Sequence, residues 1–183
     1  MKRNKTVNTY GKVSQAFHWI SAILIILMIL LGLTMTNVES NYEVFMYKTH
    51  VAIGLILFPV TFLRLMWLPF NSSPPLPIGL SKFRGIIFKL NHILLYLTLI
   101  LLLLSGLSMI IFSGLSIFPE NISAEMIKSI PPRSFHHFVS KVFIFLLLMH
   151  IVGVFQYQFK KDDVFSRMGI KGLKKYSPNS KNN

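Results

Sequence analysis

Residues 136–150 read HHFVSKVFIFLLLMH, an apolar run that begins and ends with histidine. At about 100° per residue, the 14 steps from His136 to His150 come within about 40° of whole turns of an α-helix. The two imidazoles therefore share one face of one apolar helix and are separated by about 21 Å of rise. Because polar groups are costly in hydrocarbon, this pattern indicates that both side chains face the interior of a helix bundle.

Three further apolar runs complete the pattern along a chain of 183 residues, of which 52% are hydrophobic. Spans are predicted near residues 15–36, 44–67, 86–112 and 135–159, and each is long enough to cross a hydrocarbon core of about 30 Å. The sequence therefore predicts an all-α integral membrane four-helix bundle. It is expected to form a single domain over residues 1–183, with a basic cytoplasmic tail at residues 160–183.

The charge distribution predicts the orientation of this bundle. The net charge is +13, and 15 of the 19 Lys and Arg residues lie on one side if the N-terminus is cytoplasmic. This asymmetry obeys the positive-inside rule and predicts that both termini are cytoplasmic. The basic surface is expected to contact anionic lipid rather than nucleic acid. The absence of cysteine excludes disulfides, cysteine-ligated iron–sulfur clusters and covalent haem attachment.

Helix directions place the interior histidines at two depths. His18 and His150 lie toward the inner side, whereas His50 and His136 lie toward the outer side. A haem with two imidazole ligands needs histidines at the same depth on facing helices. The sequence therefore predicts two haem groups, with His18 and His150 on the inner iron and His50 and His136 on the outer iron.

Three other residues are predicted to complete these sites. Arg64 follows His50 by 14 residues, so its guanidinium reaches the inner level and could bind a haem propionate. Gly54, one turn inward of His50, and Gly32, 14 residues after His18, are predicted to leave space for a haem ring. The alternatives are that Arg64 extends to lipid phosphates and that the glycines are ordinary helix contacts.

Two histidines remain outside the predicted ligand set. His137 lies about 140° from the face of His150, so it is rejected as a ligand and is expected near a propionate or the outer surface. His92 lies at inner depth without an unassigned partner. It is interpreted either as a hydrogen-bonding residue of the bundle or as a proton or quinone contact.

These residues resemble the bacterial cytochrome b561 family, which shares its fold with the membrane cytochrome b subunits of nickel–iron hydrogenases. The matching segments are FHWI at residues 17–20, THVAIG at 49–54 with Arg64 beyond it, HILLY at 92–96, SGLSM at 105–109, and the pair His136 and His150. The resemblance implies a bacterial inner-membrane protein with two b-type haems and the same ligand pairs. Short members of the family look like quinone-linked electron carriers, and some are similar to superoxide oxidases.

The chain departs from the family in two respects. Some members carry a histidine pair after the last ligand, where this sequence has Gln156, Tyr157 and Gln158, so no role of those histidines can be transferred. The outer segments are also neutral overall, without a cationic funnel that would attract superoxide.

The favoured hypothesis is a transmembrane electron-transfer protein that exchanges electrons with ubiquinone or menaquinone. Its periplasmic donor would be a small molecule, superoxide or a redox protein, and the superoxide case would make it a superoxide:quinone oxidoreductase. One alternative is an anchor subunit of a larger dehydrogenase, against which the short outer loops argue. Another is a non-haem, proton-coupled membrane protein. Against a transporter, the sequence shows no evident repeat and no acidic residue within the predicted spans. No catalytic residue is assigned.

Overall fold

Four long helices make up most of the chain. The computed structural model describes residues 9–35, 42–71, 74–75, 81–113, 130–160 and 164–171. The long helices are α1 (Lys12–Thr34), α2 (Glu43–Trp67), α3 (Lys82–Ser113) and α4 (Pro132–Lys160), and α5 (Val164–Arg167) is a single turn. The described residues contain no strand, which confirms the predicted all-α architecture. Most of the predicted tail lies outside the described residues.

All four long helices are suited to crossing a membrane. Each contains an 18-residue window with a mean hydropathy of at least 2.1. Large apolar side chains are exposed along them, for example Ile23 at 57% and Phe145 at 62%. Such surfaces are stable when lipid, rather than water, surrounds the helices. The protein is therefore a multi-pass membrane protein built as a four-helix bundle.

The bundle consists of two helix hairpins. The closest helix packing joins α1 to α2 and α3 to α4, while α2 and α3 make a smaller contact. The two helices of each hairpin run in opposite directions, so the start of one lies at the depth where the other ends. This arrangement determines which residues meet at each depth.

An apolar layer fills the middle of the bundle. Leu57 of α2, Leu99 of α3 and Phe143 of α4 form its buried centre, and Ile25 of α1 is among the side chains packed against it. Leu57 is seven residues from both His50 and Arg64, and Phe143 is seven residues from both His136 and His150. The apolar layer therefore separates two levels of polar residues.

The C-terminal turn packs against the start of α1. The Tyr10 amide donates to the Arg167 carbonyl at 3.0 Å, and Trp19 Nε1 donates to the Met168 carbonyl at 2.9 Å. The amide of Phe165 donates to Gln158 Oε1 at 2.8 Å. Gln158 is only 1% exposed. Here it anchors the turn, and the described chain ends lie at the same end of the bundle.

Candidate functional site

The interior polar residues form two layers, one on each side of the apolar layer. The inner layer, on the side of the chain termini, consists of His18, Arg64, His92 and His150. The outer layer, on the opposite side, consists of Gly32, His50, Gly106 and His136. In each of the four long helices, the inner and the outer member are 14 residues apart. Both layers follow from this common spacing, because about four helical turns separate the members.

The inner layer brings together residues of all four long helices. His18 interacts electrostatically with Arg64, with His150 and with His92. Arg64 Nη2 lies 3.1 Å from His18 Nδ1, and its guanidinium carbon lies 5.2 Å from the centre of the Tyr96 ring. The structure thus places His18, His150 and Arg64 at one depth, as the sequence predicted.

The bond between Arg64 and His18 determines where the His18 proton lies. A guanidinium can only donate, so His18 Nδ1 must accept, and the proton of the neutral imidazole is on Nε2. Coordination of iron through Nε2 would require this proton to move to Nδ1. Arg64 would then have to turn to another acceptor.

His92 is a close neighbour of His150. Their ring centres are 4.9 Å apart at an angle of 84°, and the His92 Nδ1 atom donates to the Phe88 carbonyl at 2.7 Å. The sequence predicted the inner depth of His92 but left it without a partner, and the structure gives it His150 as a neighbour. Its 14-residue distance from Gly106 matches the spacing in the other three long helices.

The outer layer pairs two histidines with two glycines. His50 and His136 interact electrostatically across the bundle. A Cβ atom added to Gly32 would lie 3.5 Å from His50 Cε1, and one added to Gly106 would lie 3.6 Å from His136 Cε1. Each imidazole therefore lies close to the backbone of the neighbouring helix, where a Cβ atom would make an ordinary contact and a larger side chain would overpack the site.

The two outer histidines differ in their hydrogen bonds. His136 Nδ1 lies 2.9 Å from the hydroxyl oxygen of Ser105. His50 Nδ1 is buried and has no hydrogen-bond partner among the described residues. The sequence analysis assigned no role to Ser105 or Gly106, although both belong to the segment SGLSM that it matched to the family.

Two other predicted positions lie outside these contacts. A Cβ atom on Gly54 would be 3.4 Å from Met28 Cε, so Gly54 faces α1 rather than a histidine. His137 is exposed, in agreement with its predicted position on another face of α4.

The layers fit a haem b group in the composition of their donors. Among the described residues, no cluster of three or more His, Asp or Glu side chains could form a compact metal site. A haem iron needs only two axial ligands, and each layer offers an imidazole pair from different helices. In the outer layer, His50 Nδ1 is buried without a hydrogen-bond partner among the described residues, and an orphaned polar atom of this kind favours a site that holds a bound group.

The fold and these layers define a class of protein, the membrane cytochromes b. A family model described as prokaryotic cytochrome b561 matches residues 9–170, and the chain belongs to this family. It is 29% identical over 180 residues to Cytochrome b561 homolog 2 of Escherichia coli strain K12, with 92% of this chain and 95% of the relative covered. The protein is therefore a cytochrome b561-type membrane electron-transfer protein, and its family implies haem b binding.

Proposed function

We propose that the protein carries two haem b groups and transfers electrons across the membrane to or from quinone. The observation that carries this proposal is the repeated layer: one histidine pair at each of two depths, joined by an apolar layer. Bound haem b supplies a one-electron couple between ferrous and ferric iron. A single site would need only one such layer.

The proposed ligands are His18 and His150 for the inner haem and His50 and His136 for the outer haem. Each pair is contributed by two helices, so binding would join helices that otherwise make few direct contacts. We infer that Arg64 leaves His18 when haem binds and pairs with a propionate. Its planar guanidinium suits a carboxylate, and this movement would free His18 to hold its proton on Nδ1.

Quinone is the proposed membrane partner, and the short outer segments of the sequence favour a stand-alone carrier over an anchor subunit. The proposed location is the bacterial inner membrane, with one membrane domain and both termini in the cytoplasm. The hydrogen bond between Tyr10 and Arg167 supports a common side for the chain ends, and the positive charge supports the cytoplasmic side. Reporter fusions at each terminus would test the orientation.

The first experiment is a haem count on the detergent-purified protein, with oxidised and reduced visible spectra. We expect two b-type haems per chain with low-spin, bis-imidazole spectra. His136→Ala should remove the outer haem and spare the inner one, whereas His18→Ala should do the reverse. His137→Ala is the matched control, because this exposed neighbour should leave both haems in place.

A colourless protein made with sufficient haem would refute the proposal, and so would equal loss of both haems in each single variant. The quinone step needs a separate assay in liposomes that contain the loaded protein and ubiquinone or menaquinone. Quinol should reduce the cytochrome, or an outer electron donor should reduce quinone through it. Superoxide is one donor to include, and a null result with both quinones would remove the quinone assignment.

A further inference from the structure

We propose that Ser105 is a positioning residue for the outer haem: it sets the tautomer of His136 and so would leave Nε2 of that imidazole free to bind the iron. This inference rests on the proposed function, since it takes His136 to be a haem ligand. It concerns a residue of α3 that would not touch the iron itself.

The geometry begins with a buried hydroxyl between two helices. Ser105 is 5% exposed. Its oxygen lies 3.0 Å from the Leu102 carbonyl oxygen and 2.9 Å from His136 Nδ1. One hydroxyl therefore touches a backbone group of its own helix and an imidazole nitrogen of α4.

The number of available protons decides the direction of both hydrogen bonds. A serine hydroxyl has one proton to donate, and a carbonyl can only accept. Both contacts are satisfied only when Ser105 donates to Leu102 and His136 Nδ1 donates to Ser105. If His136 Nδ1 were unprotonated, the single hydroxyl proton could serve only one of the two acceptors.

The consequence for His136 is an unprotonated Nε2. In a neutral imidazole, a proton on Nδ1 leaves the lone pair on Nε2 available to a metal. Metal-bound histidines commonly donate their other N–H to an acceptor, which orients the ring and raises the basicity of the ligand. A Cβ atom on Gly106 would lie 3.6 Å from His136 Cε1, so the ring packs closely against α3 beside Ser105.

The other histidines show that this arrangement is specific to His136. His92 donates to a carbonyl of its own helix, His18 accepts from Arg64, and His50 Nδ1 lacks a partner within the described part of the chain. Only His136 is held by a side-chain hydroxyl of a neighbouring helix among the described contacts. A change at Ser105 should therefore affect only His136 and the outer haem.

The experiment compares Ser105→Ala, Ser105→Thr and Thr98→Ala in the haem-loaded protein. Thr98 is a matched control because it is also buried in α3 and bonds only to carbonyls of its own helix. The readouts are the rate of haem transfer to a haem-scavenging globin and the reduction midpoint of each haem. The outer signal is assigned as the one that His136→Ala removes.

We expect Ser105→Ala to release the outer haem about tenfold faster, since loss of a hydrogen-bond partner of a ligand costs about 10- to 100-fold in affinity. The effect should be at the lower end of this range because the Leu102 carbonyl also interacts with His136 and remains as an acceptor. The outer midpoint should rise, because a less basic ligand stabilises ferric iron less. Ser105→Thr should restore wild-type values, and Thr98→Ala should leave both haems unchanged.

Three outcomes would overturn the inference: wild-type release and midpoint in Ser105→Ala, equal changes in both haems, or an equal effect of Thr98→Ala. Failure of the proposed function looks different. In that case the wild-type protein would lack the second haem, or His136→Ala would retain it.

Discussion

The inner and outer layers use the same helical spacing but different chemistry. The inner layer has a polar side chain from every long helix, including the cation Arg64, whereas the outer layer alternates two histidines with two glycines. At the inner layer, His18 Nδ1 accepts a hydrogen bond from Arg64. At the outer layer, His136 Nδ1 contacts a serine hydroxyl, which we infer to be its acceptor.

This difference indicates separate means of accommodating a cofactor. In the outer layer the packing is close, because a Cβ atom at Gly32 or Gly106 would already be in van der Waals contact with an imidazole and a larger side chain would have no room. The inner layer offers charge and hydrogen bonds, because Arg64 and His92 surround the proposed ligands. Variants that fill space should therefore affect the outer haem, and variants that remove charge should affect the inner haem.

The largest effect is expected from Gly106→Leu. A leucine side chain would occupy the space beside His136, and overpacking of this kind costs about 1–3 kcal/mol or more. The outer haem should be lost or bound at least about tenfold more weakly, while the inner haem is retained. The haem count and the spectrum of the remaining haem measure this.

Two controls sharpen the test of the outer layer. Gly106→Ala should retain both haems, because its Cβ atom would be 3.6 Å from the nearest imidazole atom, an ordinary contact. Gly153→Leu should also be neutral, because nothing lies within 4 Å of a Cβ atom at that position. Loss of the inner haem in Gly106→Leu would show that the layers are not independent.

A second variant, Phe143→Ala, should affect both haems rather than one. Phe143 is 3% exposed and lies between them, so Phe143→Ala leaves a cavity beside both. We expect the free energy of unfolding in detergent to fall by about 3 kcal/mol, with faster release of both haems. Phe145→Ala is the control, since that ring is 62% exposed to the surroundings. Release of only one haem would contradict the role of the apolar layer.

The smallest effect is expected from Arg64→Met. Removal of a cation beside the inner layer stabilises ferric iron relative to ferrous iron, so the inner reduction midpoint should fall. The expected change is of the order of 1 kcal/mol at the effective dielectric constants found in proteins. Redox titration of both haems measures it. Arg84→Met removes the same charge from an exposed site, and an equal shift there would indicate a general charge effect.

The sequence predicted the depth of each interior histidine, but it did not predict which side chains each histidine contacts. The 14-residue spacings placed His18 with His150 and His50 with His136, and both pairs meet at the predicted levels. It also predicted that Gly54 would leave space for a haem ring; the structure places Gly54 against Met28, and the haem contact stays a prediction. Two contacts were not predicted. In the sequence, the contact of His92 with His150 is indicated only by the 14-residue spacing, and that of Ser105 with His136 only by the matched segment SGLSM.

The four spans, the all-α membrane class and the two depths could be predicted from the residues alone, because helix rise and period convert residue number directly into height and direction. The neighbours of each interior residue depend on how the helices pack. In lipid, apolar residues are accommodated on every face of a helix, so composition does not specify the rotation and offset of one helix against the next. The packing of α1 on α2 and of α3 on α4 made that choice, and it placed Gly32 against His50 and Ser105 against His136.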